Sequence, residues 1–307
     1  GLAMESNTTA TSNVNSGYFN EGTINITGGA SASNTAVGLN VSYGTIENKS
    51  TGKISVDEGV GIYGTNGSKL KNEGIINITT KGYGIVAKGT DPNIRQNYGT
   101  DKLTSLGNEK TVEIINNGTI NLAGDKSIAI YAENNTNAPR TNVTVDNTSA
   151  LTATGDEGIG IAVVASAPVA PGLPMGASAV THGSTNQGGT ITVASTGTGP
   201  DITVGVKGKG IYAQNSDINL TGGDYVVETK EGGIGIFASG NTNVTGTLEY
   251  KYNGSVTGTG MGIVYDSAVT NNANVKLTNT ANTTGGMIGV YTTAPSGIFT
   301  NNGDITG

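Results

Sequence analysis

A glycine-centred hexapeptide recurs along the chain and limits the fold more than any other feature of the sequence. One copy is "GVGIYG" at residues 59–64, and its second glycine, Gly61, is taken as the reference position. Successive copies are separated by 23, 23, 45, 31, 50, 25, 27 and 27 residues. Such a period indicates a stack of similar units, each in contact with its neighbours. The reference residues are Gly38, Gly61, Gly84, Ala129, Gly160, Gly210, Gly235, Gly262 and Gly289.

A second motif alternates with the first along the chain. Its fullest form, N-x-G-x-I-x-I, occurs at residues 20–26, 72–78 and 116–122, and shorter copies follow at later positions. Apolar residues alternate with polar ones in both motifs, which is the period of a β-strand. One such strand cannot bury its apolar side alone, so each strand is expected to stack on its copy one period later.

The two motifs together predict an all-β fold. We expect a right-handed parallel β-helix, or β-solenoid, of roughly ten coils of about 23–27 residues. The chain is expected to form one domain over residues 1–307, with two inserted loops at about 90–110 and 165–188. The isoleucines that follow the reference positions should form one buried column. They are Ile62, Ile85, Ile130, Ile161, Ile211, Ile236 and Ile263.

Other folds fit the sequence less well. A β-sandwich array is the second choice. Leucine-rich repeats need an L-x-x-L-x-L pattern that is missing, and membrane β-barrels need aromatic girdles, whereas this chain has no Trp and three Phe. "GVGIYG" also matches the G-x-G-x-x-G fingerprint of dinucleotide-binding proteins, but the full pattern occurs once and no helix-forming run follows it. The glycines are therefore interpreted as part of the repeat.

Composition argues against several functional classes. The net charge is −7, the pI is about 4.7 and no Lys/Arg cluster is present, which argues against nucleic acid and anionic membranes as partners. No run of about 20 apolar residues exists, so this segment is not expected to span a membrane. The chain has no cysteine and a single histidine, His182, so we expect no metal, no cofactor and no catalytic triad.

The repeats "GxGIYx" and "NxGxIxI", in a cysteine-free chain rich in Asn, Thr and Gly, resemble the passenger domains of large fusobacterial type V autotransporter adhesins. The resemblance covers residues 18–307. It implies a right-handed parallel β-helix, display on the cell surface and adhesion to host or bacterial partners. It also implies anchoring in the outer membrane through a C-terminal barrel that this chain does not include. We therefore expect a segment of a longer protein.

An outward-facing aromatic stripe is the first candidate binding site. The residue after each inward isoleucine should point outward, and several of these residues are aromatic. We expect the reference glycine two positions earlier to point outward too and to leave the rings uncovered, where they could stack on a sugar or a partner protein. The structural alternative is that tyrosine is simply favoured on β-rich surfaces. The candidate residues are Tyr63, Tyr131, Tyr212, Phe237 and Tyr291.

The inserted loops and two residue columns are further candidates. Loops that project from a solenoid often carry binding, and the second loop contains three of the seven prolines. Asn20, Asn72 and Asn116 are expected to form a stacked ladder at a turn. A column of charged residues before the reference positions is interpreted as a solvated turn ladder. That column contains Glu58, Lys81, Lys126, Glu157 and Lys207.

Adhesion is the function that these features favour. We expect a monomeric rod that binds a host or bacterial surface protein or glycan through its loops or its aromatic stripe. A purely structural spacer is the main alternative. A polysaccharide-degrading β-helix is a weaker one, since the acidic pairs Asp57/Glu58 and Asp156/Glu157 lie on well-separated coils, whereas glycosidases need two converging carboxylates. No catalytic residue is predicted.

Overall fold

The chain is built from short β-strands. The computed structural model describes residues 2–5, 17–27, 36–42, 45–65, 68–88, 112–134, 143–165, 189–240, 242–255, 258–266, 270–279, 286–293 and 300–307. Within these ranges there are 25 strands and no helix. The strands are β1 (Leu2–Glu5), β2 (Gly17–Asn20), β3 (Thr23–Ile26), β4 (Val37–Ser42), β5 (Thr45–Asn48), β6 (Lys53–Thr65), β7 (Lys69–Asn72), β8 (Ile75–Lys88), β9 (Val112–Asn116), β10 (Thr119–Leu122), β11 (Ile128–Asn134), β12 (Val143–Asn147), β13 (Leu151–Ala153), β14 (Ile159–Ala165), β15 (Gly189–Ala194), β16 (Ile202–Val204), β17 (Lys209–Gln214), β18 (Asp217–Thr229), β19 (Ile234–Ser239), β20 (Val244–Tyr252), β21 (Thr259–Tyr265), β22 (Thr270–Asn279), β23 (Gly286–Thr292), β24 (Thr300–Asn301) and β25 (Ile305–Thr306).

The strands stack in parallel into a solenoid with three flanks. Flank 1 starts with β2, β5 and β7, and flank 2 starts with β3 and the first part of β6. Flank 3 starts with β1, β4 and the second part of β6. Each strand pairs in parallel with its copy one turn later. The predicted parallel β-solenoid is confirmed.

One turn of the solenoid runs through flank 1, flank 2 and flank 3 in that order. Nine complete turns lie between β2 and β23, with partial turns at both ends, so the count differs somewhat from the predicted number of roughly ten coils. Both predicted loops, apart from Ala165, lie outside the described residues. The ranges concerned are 90–110 and 166–188, and the second contains His182. The nine turns cover residues 17–42, 45–65, 69–88, 112–134, 143–165, 189–214, 217–239, 244–265 and 270–292.

The core consists of columns of aliphatic side chains on all three flanks, and flank 2 alone has two, which begin with Ile54 and Val56. The predicted isoleucine column on flank 3 is confirmed. Ile62 pairs with Ile85 on the next turn, Ile85 pairs with Ile130 on the turn after that, and all three side chains are fully buried. Its later members, from Ile161 to Ile263, are also fully buried. Complete burial of one such side chain contributes about 1.5–3 kcal/mol. A turn therefore gains its stability from the turns above and below it, as expected for a stacked repeat.

Glycine recurs at the reference position because two turns approach each other there. A Cβ atom on Gly61 would lie 2.6 Å from the carbonyl oxygen of Gly84 and 2.7 Å from Cγ2 of Ile76. Ile76 is a fully buried core residue on flank 2, so the side of Gly61 that would carry a Cβ atom faces the core. The same close approach recurs at Gly84, Gly160, Gly210, Gly235 and Gly262.

An asparagine ladder closes the end of flank 1 in the first five turns. Asn48 donates from Nδ2 to Oδ1 of Asn72 at 2.9 Å, and Asn72 donates to Asn116 at 2.8 Å. Asn20 begins the ladder and Asn147 ends it, with links of 2.8 and 2.7 Å. The predicted ladder of Asn20, Asn72 and Asn116 is confirmed, and it also includes Asn48 and Asn147.

The last turns use tyrosine as a core residue instead. Four tyrosine side chains are fully buried in turns seven and eight. The hydroxyl of Tyr250 donates to the Gly233 carbonyl at 3.0 Å and shares a 2.6 Å hydrogen bond with the Thr229 hydroxyl. The buried tyrosines are Tyr225, Tyr250, Tyr252 and Tyr265.

Candidate functional site

The five predicted stripe residues lie in one column on the outside of flank 3. The strand register pairs Tyr63 with Val86, Val86 with Tyr131, and Tyr131 with Ala162. Tyr212, Phe237, Val264 and Tyr291 continue the column in the same way. The spacing of the hexapeptide therefore places all five candidate side chains on one flank. The full column, which we call the ring row, contains Asn40, Tyr63, Val86, Tyr131, Ala162, Tyr212, Phe237, Val264 and Tyr291.

The rings are partly covered, not bare as expected. The reference glycine points into the core, so it does not leave open backbone beside each ring. Neighbouring rings also cover one another. Tyr212 and Phe237 stack with centroids 5.3 Å apart and planes 2° from parallel. Tyr291, in the last complete turn, is the most exposed ring of the row, at 45%.

A second row of outward residues runs beside the ring row and was missed by the sequence analysis. It consists of the residue immediately before each reference position. Tyr83 of this row packs edge-on against Tyr131 of the ring row, with centroids 5.9 Å apart. The signal was present in the sequence, since this residue is apolar in nearly every copy. The second row contains Val37, Val60, Tyr83, Ile128, Ile159, Lys209, Ile234, Met261 and Ile288.

Together the two rows form a continuous outward surface that we call the apolar face. It extends over nine turns, roughly 40 Å at the usual spacing between strands. Lys209 is its only charged residue and Asn40 its only other strongly polar one. Large and small side chains alternate along most of the ring row. Val86, Ala162 and Val264 are only 2–5% exposed, so neighbouring side chains cover them and the rings form most of the accessible surface of the row.

Tyr131 and Tyr212 of the apolar face are neutral at physiological pH. Burial and, second to it, the Glu133 carboxylate raise the pKa of Tyr131 to about 12, and that carboxylate accepts a hydrogen bond from the Tyr131 hydroxyl at 3.3 Å. Burial also raises the pKa of Tyr212, with a smaller contribution from Asp266. The Lys88–Glu133 ion pair, at 3.5 Å, lies at the edge of the face. The surface is therefore suited to an uncharged partner with flat apolar groups.

The charged column before the reference positions behaves as a turn ladder. Glu58 and Lys81 lie in register on adjacent turns. Lys126 and Glu157 form an ion pair at 3.7 Å with both side chains more than half exposed. Such pairs contribute at most about 1 kcal/mol. Lys126, Glu157 and Lys207 all adopt left-handed backbone conformations, with φ of 56–57°.

The described residues contain no group of three or more His, Cys, Asp or Glu side chains that could hold a metal ion. Of the acidic pairs, Asp57 is held by the hydroxyls of Thr79 and Thr80, which donate to its Oδ1 at 2.8 and 2.6 Å. These hydrogen bonds lower its pKa. A search of the same part of the chain found no helix long and apolar enough to cross a membrane.

Comparison with protein-family models, curated proteins and solved structures found no match to this chain.

Proposed function

We propose that this protein is an adhesin segment displayed on a cell surface, in which a rigid β-solenoid presents the apolar face to a surface protein or glycan of a host or bacterial cell. The apolar face is the observation that carries the proposal. Soluble monomers rarely expose a continuous apolar patch of this length without using it. Aromatic rings on a rigid support lose little conformational freedom on binding, which favours them as contact residues.

The same proposal gives the segment no catalytic role. Its rod form is suited to holding a contact surface at a distance from the membrane. The core needs no cysteine, because each turn is stabilised by its neighbours. The resemblance to autotransporter passenger domains agrees with this role.

Binding to whole cells tests the proposal. Fluorescently labelled protein is compared with a variant that carries Tyr131→Ala, Tyr212→Ala and Tyr291→Ala. We expect the triple variant to lose at least about tenfold in apparent affinity, because removing several interface anchors costs more than 1.4 kcal/mol. Phe19→Ala is the matched control, since Phe19 is an exposed ring on flank 1. Equal binding by the triple variant and the wild type would contradict the proposal.

A purely structural spacer is the alternative that one observation favours. The rings of the face already cover one another, as in the Tyr212–Phe237 stack, so part of their apolar area is used within the rod. A spacer predicts no binding to any cell type or glycan array by this segment. Under that outcome the triple variant would change only the stability of the rod.

A further inference from the structure

Two tyrosines of the apolar face contact each other across adjacent turns. Tyr83 lies on turn three and Tyr131 on turn four, and their ring centroids are 5.9 Å apart with planes inclined at 65°. In such an edge-on contact the rim of one ring lies against the other ring. The rim of a tyrosine ring includes the two carbons beside the hydroxyl, which are the carbons that couple when tyrosines are oxidised. The contact therefore brings two phenols together at the position where they can react with each other.

The backbone holds this pair in place. The strands β8 and β11 pair in parallel, with Tyr83 directly opposite Ile128. Ile130, which precedes Tyr131, is fully buried in the core. The Tyr131 hydroxyl also donates a hydrogen bond to the Glu133 carboxylate at 3.3 Å. The two rings therefore stay neighbours in the folded protein, and groups held together in this way react with each other in preference to groups on other molecules.

Both rings can be reached from outside the rod. Tyr83 is 37% exposed, and Tyr131 is partly exposed. Two other parts of the molecule lack one of these conditions. Tyr250 is fully buried, and the ring stacked on Tyr212 belongs to Phe237, which has no hydroxyl. The contact between turns three and four combines two phenols, proximity and access for an oxidant.

We propose that Tyr83 and Tyr131 form a site of oxidative cross-linking, at which a peroxidase acting with hydrogen peroxide joins the two rings into dityrosine. The oxidant removes one electron and the hydroxyl proton from each phenol. The two radicals then form a carbon–carbon bond between one carbon beside each oxygen. The hydrogens on those two carbons move to the oxygens, so both rings regain their hydroxyls and their aromaticity. Hydrogen peroxide takes up the two electrons and the two protons and becomes two molecules of water.

The new bond ties two turns of the rod together covalently. The chain has no cysteine, so no disulfide can do this. Tyr83 and Tyr131 are far apart in the sequence, and a cross-link over a long span lowers the conformational entropy of the unfolded chain. The cross-linked rod should therefore be more stable than the untreated one. A protein on a cell surface meets oxidants released by other cells. That last point rests on the proposed function, whereas the site itself does not.

Treatment of the full chain with a peroxidase and hydrogen peroxide, in dilute solution, tests the site. Trypsin cuts after lysine and arginine, so the cross-link should join the peptides 82–88 and 127–140. We expect mass spectrometry to find this joined product, lighter by two hydrogens than the two peptides together. The treatment is repeated on an equal mixture of ordinary and isotope-labelled protein. A bond within one chain joins peptides of the same isotope, whereas a bond between chains also joins one peptide of each.

Conservative variants identify the two rings. Tyr83→Phe and Tyr131→Phe each keep a ring but remove one phenol, so each should lower dityrosine fluorescence at least about tenfold. Tyr291→Phe is the matched control, because Tyr291 lies on the same face and is more exposed than Tyr83. Its dityrosine yield should equal that of the wild type. The treated wild type should melt at least about 3 °C above the untreated protein, whereas treatment should not raise the melting temperature of Tyr83→Phe.

Three results would overturn the proposal. Oxidised protein without the joined peptide shows that the two rings do not couple. Joined peptides that mix the two isotopes freely show coupling between molecules. Dityrosine that persists in Tyr83→Phe shows that another pair reacts. None of these results changes the expected binding to cells, so the adhesin proposal is tested separately.

Discussion

The first five turns and the last three stabilise the same backbone path in different ways. In the first five turns one residue type recurs, and the buried amides from Asn48 to Asn116 bond to each other along the stack. The ladder stops after Asn147, because the equivalent positions on the next two turns are occupied by Val193 and Leu220. In the last turns, three of the buried tyrosines, Tyr250, Tyr252 and Tyr265, each hydrogen-bond to a different partner. The difference shows that the sequence repeat fixes how the turns stack. The buried polar side chains can then bond either to the same residue type on each turn or to a different partner on each turn.

The largest expected difference between the two regions is in their response to alkaline pH. Burial raises the pKa of Tyr250 to about 12, and burial also raises the pKa values of Tyr225 and Tyr265. An unfolded tyrosine ionises near pH 10, so the unfolded chain loses protons first and stability falls as the pH rises above about 10. Tyr250 alone is expected to account for about 2 kcal/mol by pH 12.

Denaturant titrations at increasing pH, together with tyrosinate absorption, measure this effect. Mass spectrometry of limited-proteolysis products shows which end opens first. The account predicts early cleavage within residues 217–265. Early cleavage within residues 45–88 would contradict it.

The ladder itself is tested by Asn72→Ala. The substitution removes the acceptor of Asn48 Nδ2 and the donor to Asn116 Oδ1, and both partners are fully buried. We expect a loss of about 2–5 kcal/mol in the free energy of unfolding. Asn20→Ala, at the more exposed end of the ladder, should cost about 1 kcal/mol. Equal losses in guanidinium titrations would show that the ladder does not act as a chain of buried bonds.

Tyr250→Phe makes the corresponding test in the last turns. It leaves the Gly233 carbonyl and the Thr229 hydroxyl without the partner that they have in the wild type. The expected loss is about 1–3 kcal/mol, measured by the same titration. A loss as large as that of Asn72→Ala would show that one link of the asparagine ladder stabilises the rod no more than the isolated hydrogen bonds of Tyr250 do.

Tyr225→Phe should have the smallest effect, and of opposite sign. The Tyr225 hydroxyl is fully buried, and although the Asn147 side chain lies near enough to lower its pKa, it forms no hydrogen bond of normal geometry among the described residues. Removing an unpaired buried polar group relieves its desolvation cost, so we expect no loss and up to about 1 kcal/mol of added stability. A clear destabilisation in thermal melts would show that this hydroxyl is paired.

Much of the fold was predictable because the repeat fixes it. The period sets the stack, and alternation selects Ile62 and its equivalents as the inward column. The second row was missed because Gly61 was expected to point outward, whereas a close approach to Gly84 turns it inward. Asn48 was missed because two extra residues separate it from its glycine, Gly52.

The tyrosine core was not predictable by the same reasoning. Tyrosine was interpreted only as an outward residue, but Tyr250 and Tyr252 occupy inward positions of flank 2. Their burial depends on partners such as Gly233 and Ser255, which no repeat pattern identifies.

Hydroxyl-radical footprinting of tyrosine, on the free protein and on protein bound to cells, tests the central claim most directly. In the free protein, Tyr131, Tyr212 and Tyr291 should be oxidised, while the buried Tyr250 and Tyr252 should stay intact. Bound protein should show protection of the three face residues. The account is contradicted if those three remain fully reactive in the bound state while Phe19, on flank 1, becomes protected.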